Sequence, residues 1–218
     1  MLKMDVKEKE LLKNARDGDA EDKFTLAKYY HKNQKMDRAF IWLSIAAKLG
    51  NPDAQYYLAY SYIHGYGVNK SDEEAFKWFK TAAENDHMEA QYNLGVCYRK
   101  GKGVDPCIDT SLKWCYKAAC QGHMIAQYLM GNQYKDCTCD CENKQNMILW
   151  YQSSADQGYN KALMALGNCY LKGNGVPKNL EEAILQYRKA DARGQTGAKK
   201  AANHTLVDLI VRDLPLKS

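Results

Sequence analysis

Proline is scarce in this chain, four residues in 218, so long stretches are free to be helical and few loops need be long. No stretch approaches the roughly 20 consecutive apolar residues of a membrane-spanning helix, and no membrane insertion is expected. The start, MLKMDVKEKELLKNARDGDAEDKF, turns charged where a secretion signal would need its apolar centre, which points to a cytoplasmic protein. The formal charge of +5 is spread along the chain rather than gathered in a run of Lys and Arg, so the electrostatic footprint of a nucleic-acid binder is missing. No Ser-His-Asp, paired-carboxylate or phosphate-loop arrangement is present, since Gly101-Lys102-Gly103 has no following Ser or Thr. The chain therefore reads as a non-enzyme without a cofactor. Eight cysteines without an export signal point to reduced thiols or metal ligands, because cytosolic redox buffers oppose structural disulfides.

What is present is a folded composition, 45% hydrophobic and 26% charged, enriched in tyrosine with 16 residues. Its organisation is a repeat. Trp42, Trp78, Trp114 and Trp150 recur every 36 residues, and Ala54, Ala90, Ala126, Ala162 and Ala198 keep the same interval. So do Ala46, Ala82, Ala118, Ser154 and Ala190, and likewise Gly50, Gly122, Gly158 and Gly194, with Asp86 in the vacant slot.

Each period splits into two helical halves. Ala90, Leu94, Gly95 and Tyr98 share one face of the first, and Leu112, Cys115, Ala118 and Ala119 one face of the second. Small residues let the two axes approach while Trp, Leu and Tyr fill the space around them. The pairs Gly65/Gly67, Gly101/Gly103 and Gly173/Gly175 end the first helices, where a left-handed cap favours a residue without Cβ. One such hairpin cannot bury its own apolar face, so neighbours must stack. Residues 1–18 read as an N-terminal capping helix and 19–197 as the repeats, the first shortened. Residues 198–218 read as a C-terminal capping helix and tail, with Leu206, Val207, Leu209 and Ile210 covering the open end. The expected fold is one all-α domain of about five helix hairpins.

Segments such as AQYNLGVCYRKGKGV and EEAFKWFKTAAEND resemble the Sel-one-like repeat, a relative of the tetratricopeptide repeat with the unit A-x-Y-x-L-G-x-x-Y-x-x-G-x-G-V then A-x-x-W-x-x-x-A-A-x-x-G. The likeness spans about Asp19 to Gly197. It implies a right-handed α/α superhelical solenoid and an adaptor or scaffold role in assembling protein complexes. Two departures stand out: Cys137-Thr138-Cys139-Asp140-Cys141 replaces the Gly pair of the fourth unit, and Gln186 takes the Trp position of the fifth. The cysteine pairs that staple some secreted members are not at the corresponding positions, in keeping with a reduced protein.

In such a stack the first-half helices line the concave face, so exposed positions beside the Leu-Gly pair are the natural docking surface for a protein or peptide. These are Tyr56 and Tyr60, Tyr92 and Arg99, Tyr128, Asn132 and Lys135, and Asn168, with Ile63, Val96, Met164 and Leu171 in the same series. Tyrosine offers large contact area at low rotamer cost; the alternative is that Tyr56, Tyr92 and Tyr128 are packing residues. Cys107, Cys137, Cys139 and Cys141 lie in adjacent connectors, where four thiolates would suit tetrahedral zinc, although one intervening residue is tighter than the usual two to four. The alternative there is plain surface thiols. Function accordingly reads first as a non-catalytic protein-interaction adaptor, second as an immunity protein covering a toxic enzyme, and third as a thiol- or zinc-dependent redox component. Oligomeric state is left open.

Overall fold

The structure, a computed structural model, describes residues 6–135, 141–195 and 197–212. Among them the chain is helical throughout, with no strand. In order it forms α1 (Val6–Asp17), α2 (Ala20–Lys32), α3 (Met36–Lys48), α4 (Pro52–His64), α5 (Asp72–Glu84), α6 (Met88–Lys100), α7 (Ile108–Cys120), α8 (Met124–Lys135), α9 (Cys141–Asp156), α10 (Asn160–Lys172), α11 (Leu180–Asp191) and α12 (Ala198–Arg212). Among the described residues, none of these helices is long and apolar enough to cross a membrane. The chain divides into two compact units, Met1–Lys117 and Ala118–Ser218. In the first, α1 through α6 pack each on the next; in the second, α8 through α12 do the same.

The helix starts are written locally. Asp19 accepts from the amides of Glu21 and Asp22 while Asp22 returns a bond to the Asp19 amide, a reciprocal cap at the start of α2. Asn51, Ser71 and Asn179 cap α4, α5 and α11 with one side-chain oxygen each. Two caps are histidines: Nδ1 of His87 accepts from the Ala90 amide and Nδ1 of His123 from that of Ala126, both at 3.2 Å. His87 must then carry its proton on Nε2, which donates to Asp53 at 3.1 Å.

The connectors explain why two glycines are used rather than one. Gly101, at φ +67°, is the left-handed cap of α6. Gly103, at φ +68°, does something different: its Cα lies against the first residue of α5, and a Cβ there would collide with the carbonyl oxygen of Asp72. Gly67 stands in the same relation to Met36 at the start of α3. The second glycine thus lets one connector seat on the preceding hairpin.

Packing couples neighbours in the same way. In the first unit Trp42 touches the cluster of Ala15, Leu26, Tyr30 and Ala39 and also that of Phe24, Leu43 and Leu58, while Trp78 joins the latter to the cluster of Phe79 and Leu94. Each Trp sits between hairpins, which is how units too small to fold alone stabilise one another. Buried glutamines repeat alongside: Nε2 of Gln55, Gln91 and Gln127 donates to the carbonyls of Ala47, Ala83 and Ala119 at 3.1, 3.3 and 3.2 Å. Each adds a second donor to a last-turn carbonyl of α3, α5 or α7 that otherwise accepts only from the turn amide of Gly50, Asp86 or Gly122.

At the far end of the second unit, Ala198, Ala202 and Thr205 are the buried face of α12. Val207, expected to help cover the stack, is instead 58% exposed. The i, i+4, i+7 spacing of the buried three turns residue 207 to the opposite side.

At the other end, Glu8 of α1 is buried beneath α2 and α3, accepting from Lys35 Nζ and Arg38 Nη1, both at 2.9 Å. The Lys35 hydrogen bond, ahead of the Tyr30 and Arg38 contributions, holds this carboxyl below its usual range even though burial opposes the charge. A carboxyl depressed in the folded state contributes stability above its unfolded value, and that contribution is lost as pH falls through the lower folded one. Amide protection in α1, measured relative to intrinsic exchange, is therefore expected to hold at neutral pH and to fall as acid protonates Glu8 below the ordinary carboxyl range. In Glu8→Gln, α1 exchange should lose this acid step. An acid step unchanged in Glu8→Gln would contradict the assignment.

Candidate docking surfaces

On the first unit the first-half helices carry a continuous aromatic strip. The ring of Phe24 lies 5.6 Å from Tyr57, Tyr57 lies 5.3 Å from Tyr56, and Tyr56 lies 6.3 Å from Tyr60. Tyr60 continues to His64 at 4.2 Å, His64 stacks on Tyr66 at 5.4 Å, and Tyr66 meets His31 at 6.0 Å. Tyr57, Tyr60 and Tyr66 are 44%, 39% and 36% exposed. Tyr56 is half-buried, stacked on the capping His87 at 4.8 Å, and burial pushes its hydroxyl above the usual tyrosine range. Of the positions expected from the repeat, Tyr60 stands in the strip as an exposed ring, while Tyr56 serves packing as well as surface. Tyr57, His64 and Tyr66 stand outside the repeat series of docking positions, His64 by ending α4; the Gly-Tyr-Gly connector that presents Tyr66 is the available signal. On α6, Tyr92 is half-buried and Arg99 exposed. Ile63 packs against the Phe79 cluster and so serves the core.

In the second unit Tyr128, Asn132 and Lys135 of α8 and Asn168 of α10 line one cavity of about 420 Å³. Lys161, Met164 and Lys172 of α10 complete its lining, with Asn174 and Gln195 from the connectors. The two asparagines are held in the same manner. Tyr151 donates its hydroxyl to Asn132 Oδ1 and Tyr187 donates to Asn168 Oδ1, each at 2.8 Å. Both tyrosines are 1% exposed, so the bond satisfies a buried hydroxyl and fixes which end of each amide faces the cavity. One period earlier the same positions hold Val96 and Cys115, which cannot make it. Lys161 and Lys172 were missed because the repeat rule placed the last lining residue at Leu171. That side chain packs instead with Tyr187 and Ala202, and the helix turns Lys172 into the opening.

Cys97, Cys115 and Cys169 are buried; desolvation pushes the thiols of Cys97 and Cys169 up to about 11. Cys107 is exposed, and its Sγ lies 3.1 Å from Thr110 Oγ1, a hydrogen bond that holds this thiol below its usual range. Cys137 and Cys139, and the side chain of Cys141, lie outside the described residues. Among the described residues no group of three or more His, Cys, Asp or Glu is arranged to hold a metal ion.

Compared with known proteins, the Sel1 repeat matches residues 27–51, 52–87, 89–123, 148–159 and 160–190. Among solved structures, a protective antigen of uropathogenic Escherichia coli with an SLR fold is 31% identical over 91% of this chain and 43% of its own, with a TM-score of 0.83. A Sel1 repeat protein from Oxalobacter formigenes is 28% identical over 90% of this chain and 68% of its own, with a TM-score of 0.73. An immunity protein from Pseudomonas aeruginosa is 20% identical over 79% of this chain and 67% of its own, with a TM-score of 0.51. The chain thus spans less than half the length of the first of these. No curated protein sequence matches it significantly.

Proposed function

The chain belongs to the Sel1 repeat family, whose helical repeats generally bind proteins, and on that premise we propose that it is a non-catalytic adaptor docking a protein or peptide on the faces of its first-half helices. The observation that carries the reading is the aromatic strip of the first unit. A folded protein has little reason to keep three tyrosines exposed in one unbroken run of ring contacts, whereas aromatic groups at interfaces supply a disproportionate share of binding energy. Tyr92 and Arg99 extend the surface on α6, and the lined cavity of the second unit offers a further one.

A protein captured by the full chain should be held at least tenfold more weakly by the Tyr60→Ala/Tyr66→Ala variant, with helical content and melting unchanged; a hot-spot residue is worth about 2 kcal/mol or more. Capture indifferent to both substitutions would remove the strip from the reading. The narrower possibility, an immunity protein covering a toxic enzyme, has in its support a solved structure that shares the fold alone, so the adaptor reading is preferred. The thiol or zinc reading keeps only Cys107 among described side chains and is not carried further.

A further inference from the structure

The charged residues that line the cavity of the second unit are all lysines. They are Lys135, Lys161 and Lys172, and no Asp or Glu is among its described lining residues. Among the described residues none of the three ammonium groups is ion-paired. With Oδ1 of Asn132 and Asn168 occupied by tyrosine hydroxyls, the Nδ2 donors of both amides are left for a guest. We propose that this cavity binds an extended acidic peptide segment of about five residues, with carboxylates toward both ends and an apolar side chain between them. The proposal rests on the protein-binding reading above and adds the chemistry of the segment held.

Spacing favours an extended guest over a single small anion. Lys161 is the second residue of α10 and Lys172 the last, so at 1.5 Å of rise per residue they stand about 16 Å apart along the axis. A guest that engages both lysines without either side chain folding toward the other is about as long, and five residues of extended chain reach that length at about 3.3 Å each. Between the two lysines lie Met164 and Ala165, an apolar floor for the middle side chain. The asparagine Nδ2 groups come from successive hairpins and suit the backbone carbonyls of an extended chain, which recur at regular intervals. A nucleic acid carries evenly spaced charge too, but it needs free ring faces for its bases. Tyr128 is engaged with Tyr151 at 5.8 Å and Tyr159 at 5.4 Å.

The test is fluorescence anisotropy on the full chain with an acetylated and amidated probe of sequence Asp-Glu-Leu-Glu-Asp, against the same peptide with Gln and Asn in place of its acids. The acidic probe should bind at least tenfold more tightly than the amide probe. Lys161→Glu and Lys172→Glu should each weaken it at least tenfold, while Tyr60→Ala/Tyr66→Ala leaves it unchanged. Equal binding of the two probes, indifference to both lysine variants, or tighter binding of a five-nucleotide single strand would overturn the assignment. Should that happen while partner capture still depends on Tyr60 and Tyr66, the adaptor reading survives without the cavity. Capture indifferent to the strip, with the probe behaving as expected, would remove the strip and leave the cavity assignment standing.

Discussion

Gly103→Ala is expected to destabilise the first unit by about 2–5 kcal/mol, the left-handed backbone costing a residue with Cβ about 1–2 and the forced displacement of packed backbone about 1–3. The second part is the informative one. A Cβ at 103 meets the Asp72 carbonyl and the Glu73 Cα, both backbone, whereas a Cβ at Gly65 meets chiefly the flexible side chain of Lys70. Both positions have positive φ, +68° and +76°. Gly65→Ala should therefore cost only about 1–2 kcal/mol, and urea unfolding followed by tryptophan fluorescence would separate the two. Equal losses would mean that the connector does not seat on the start of α5.

Tyr187→Ala is expected to cost about 3–5 kcal/mol, because an aromatic ring buried to 1% exposure leaves a cavity that its neighbours fill only in part. Ala183 and Ala202 surround it, with Leu171 partly buried against them, and Gly167 of α10 lies directly against the ring. Tyr187→Phe keeps the packing and removes only the hydroxyl donated to Asn168, for a loss of about 1 kcal/mol. The pair of variants divides fold from surface. The alanine should lower the melting temperature of the second unit sharply, while the phenylalanine leaves it nearly intact and weakens the acidic probe by releasing the amide of Asn168. If phenylalanine proved as damaging to stability as alanine, the hydroxyl rather than the ring would be the structural element.

The 36-residue spacing of Trp, Ala and Gly made the hairpins legible before any coordinates, because identical packing demands recur wherever identical hairpins stack. The all-helical fold and the succession of helix pairs follow from that pattern. Less legible was what each polar residue does within it. Gln55, Gln91 and Gln127 keep the period as well, until Leu163 breaks it, yet a glutamine is ordinarily a surface residue, and only the structure reveals it as a partner of the preceding helix's last carbonyls. Histidine caps at 87 and 123 are hidden for a similar reason, since Asp, Asn and Ser are the expected cap residues. The repeat register drew Tyr128, Asn132, Lys135 and Asn168 from one face, and these four line one cavity. It could not anticipate Lys161 and Lys172, which sit at helix ends, nor Tyr66, which belongs to a connector outside any helical face.

The adaptor reading is tested most directly by site-specific photocrosslinking in cells, with a photoreactive phenylalanine placed singly at Tyr60, Asn168, Lys80 or Lys189. The first two positions face outward from first-half helices, the last two are exposed on second-half helices α5 and α11. Crosslinks to a partner protein from 60 or 168, and not from 80 or 189, are the expected result. Crosslinks from 80 and 189 alone would place the partner on the opposite helices and contradict the assignment of the docking face.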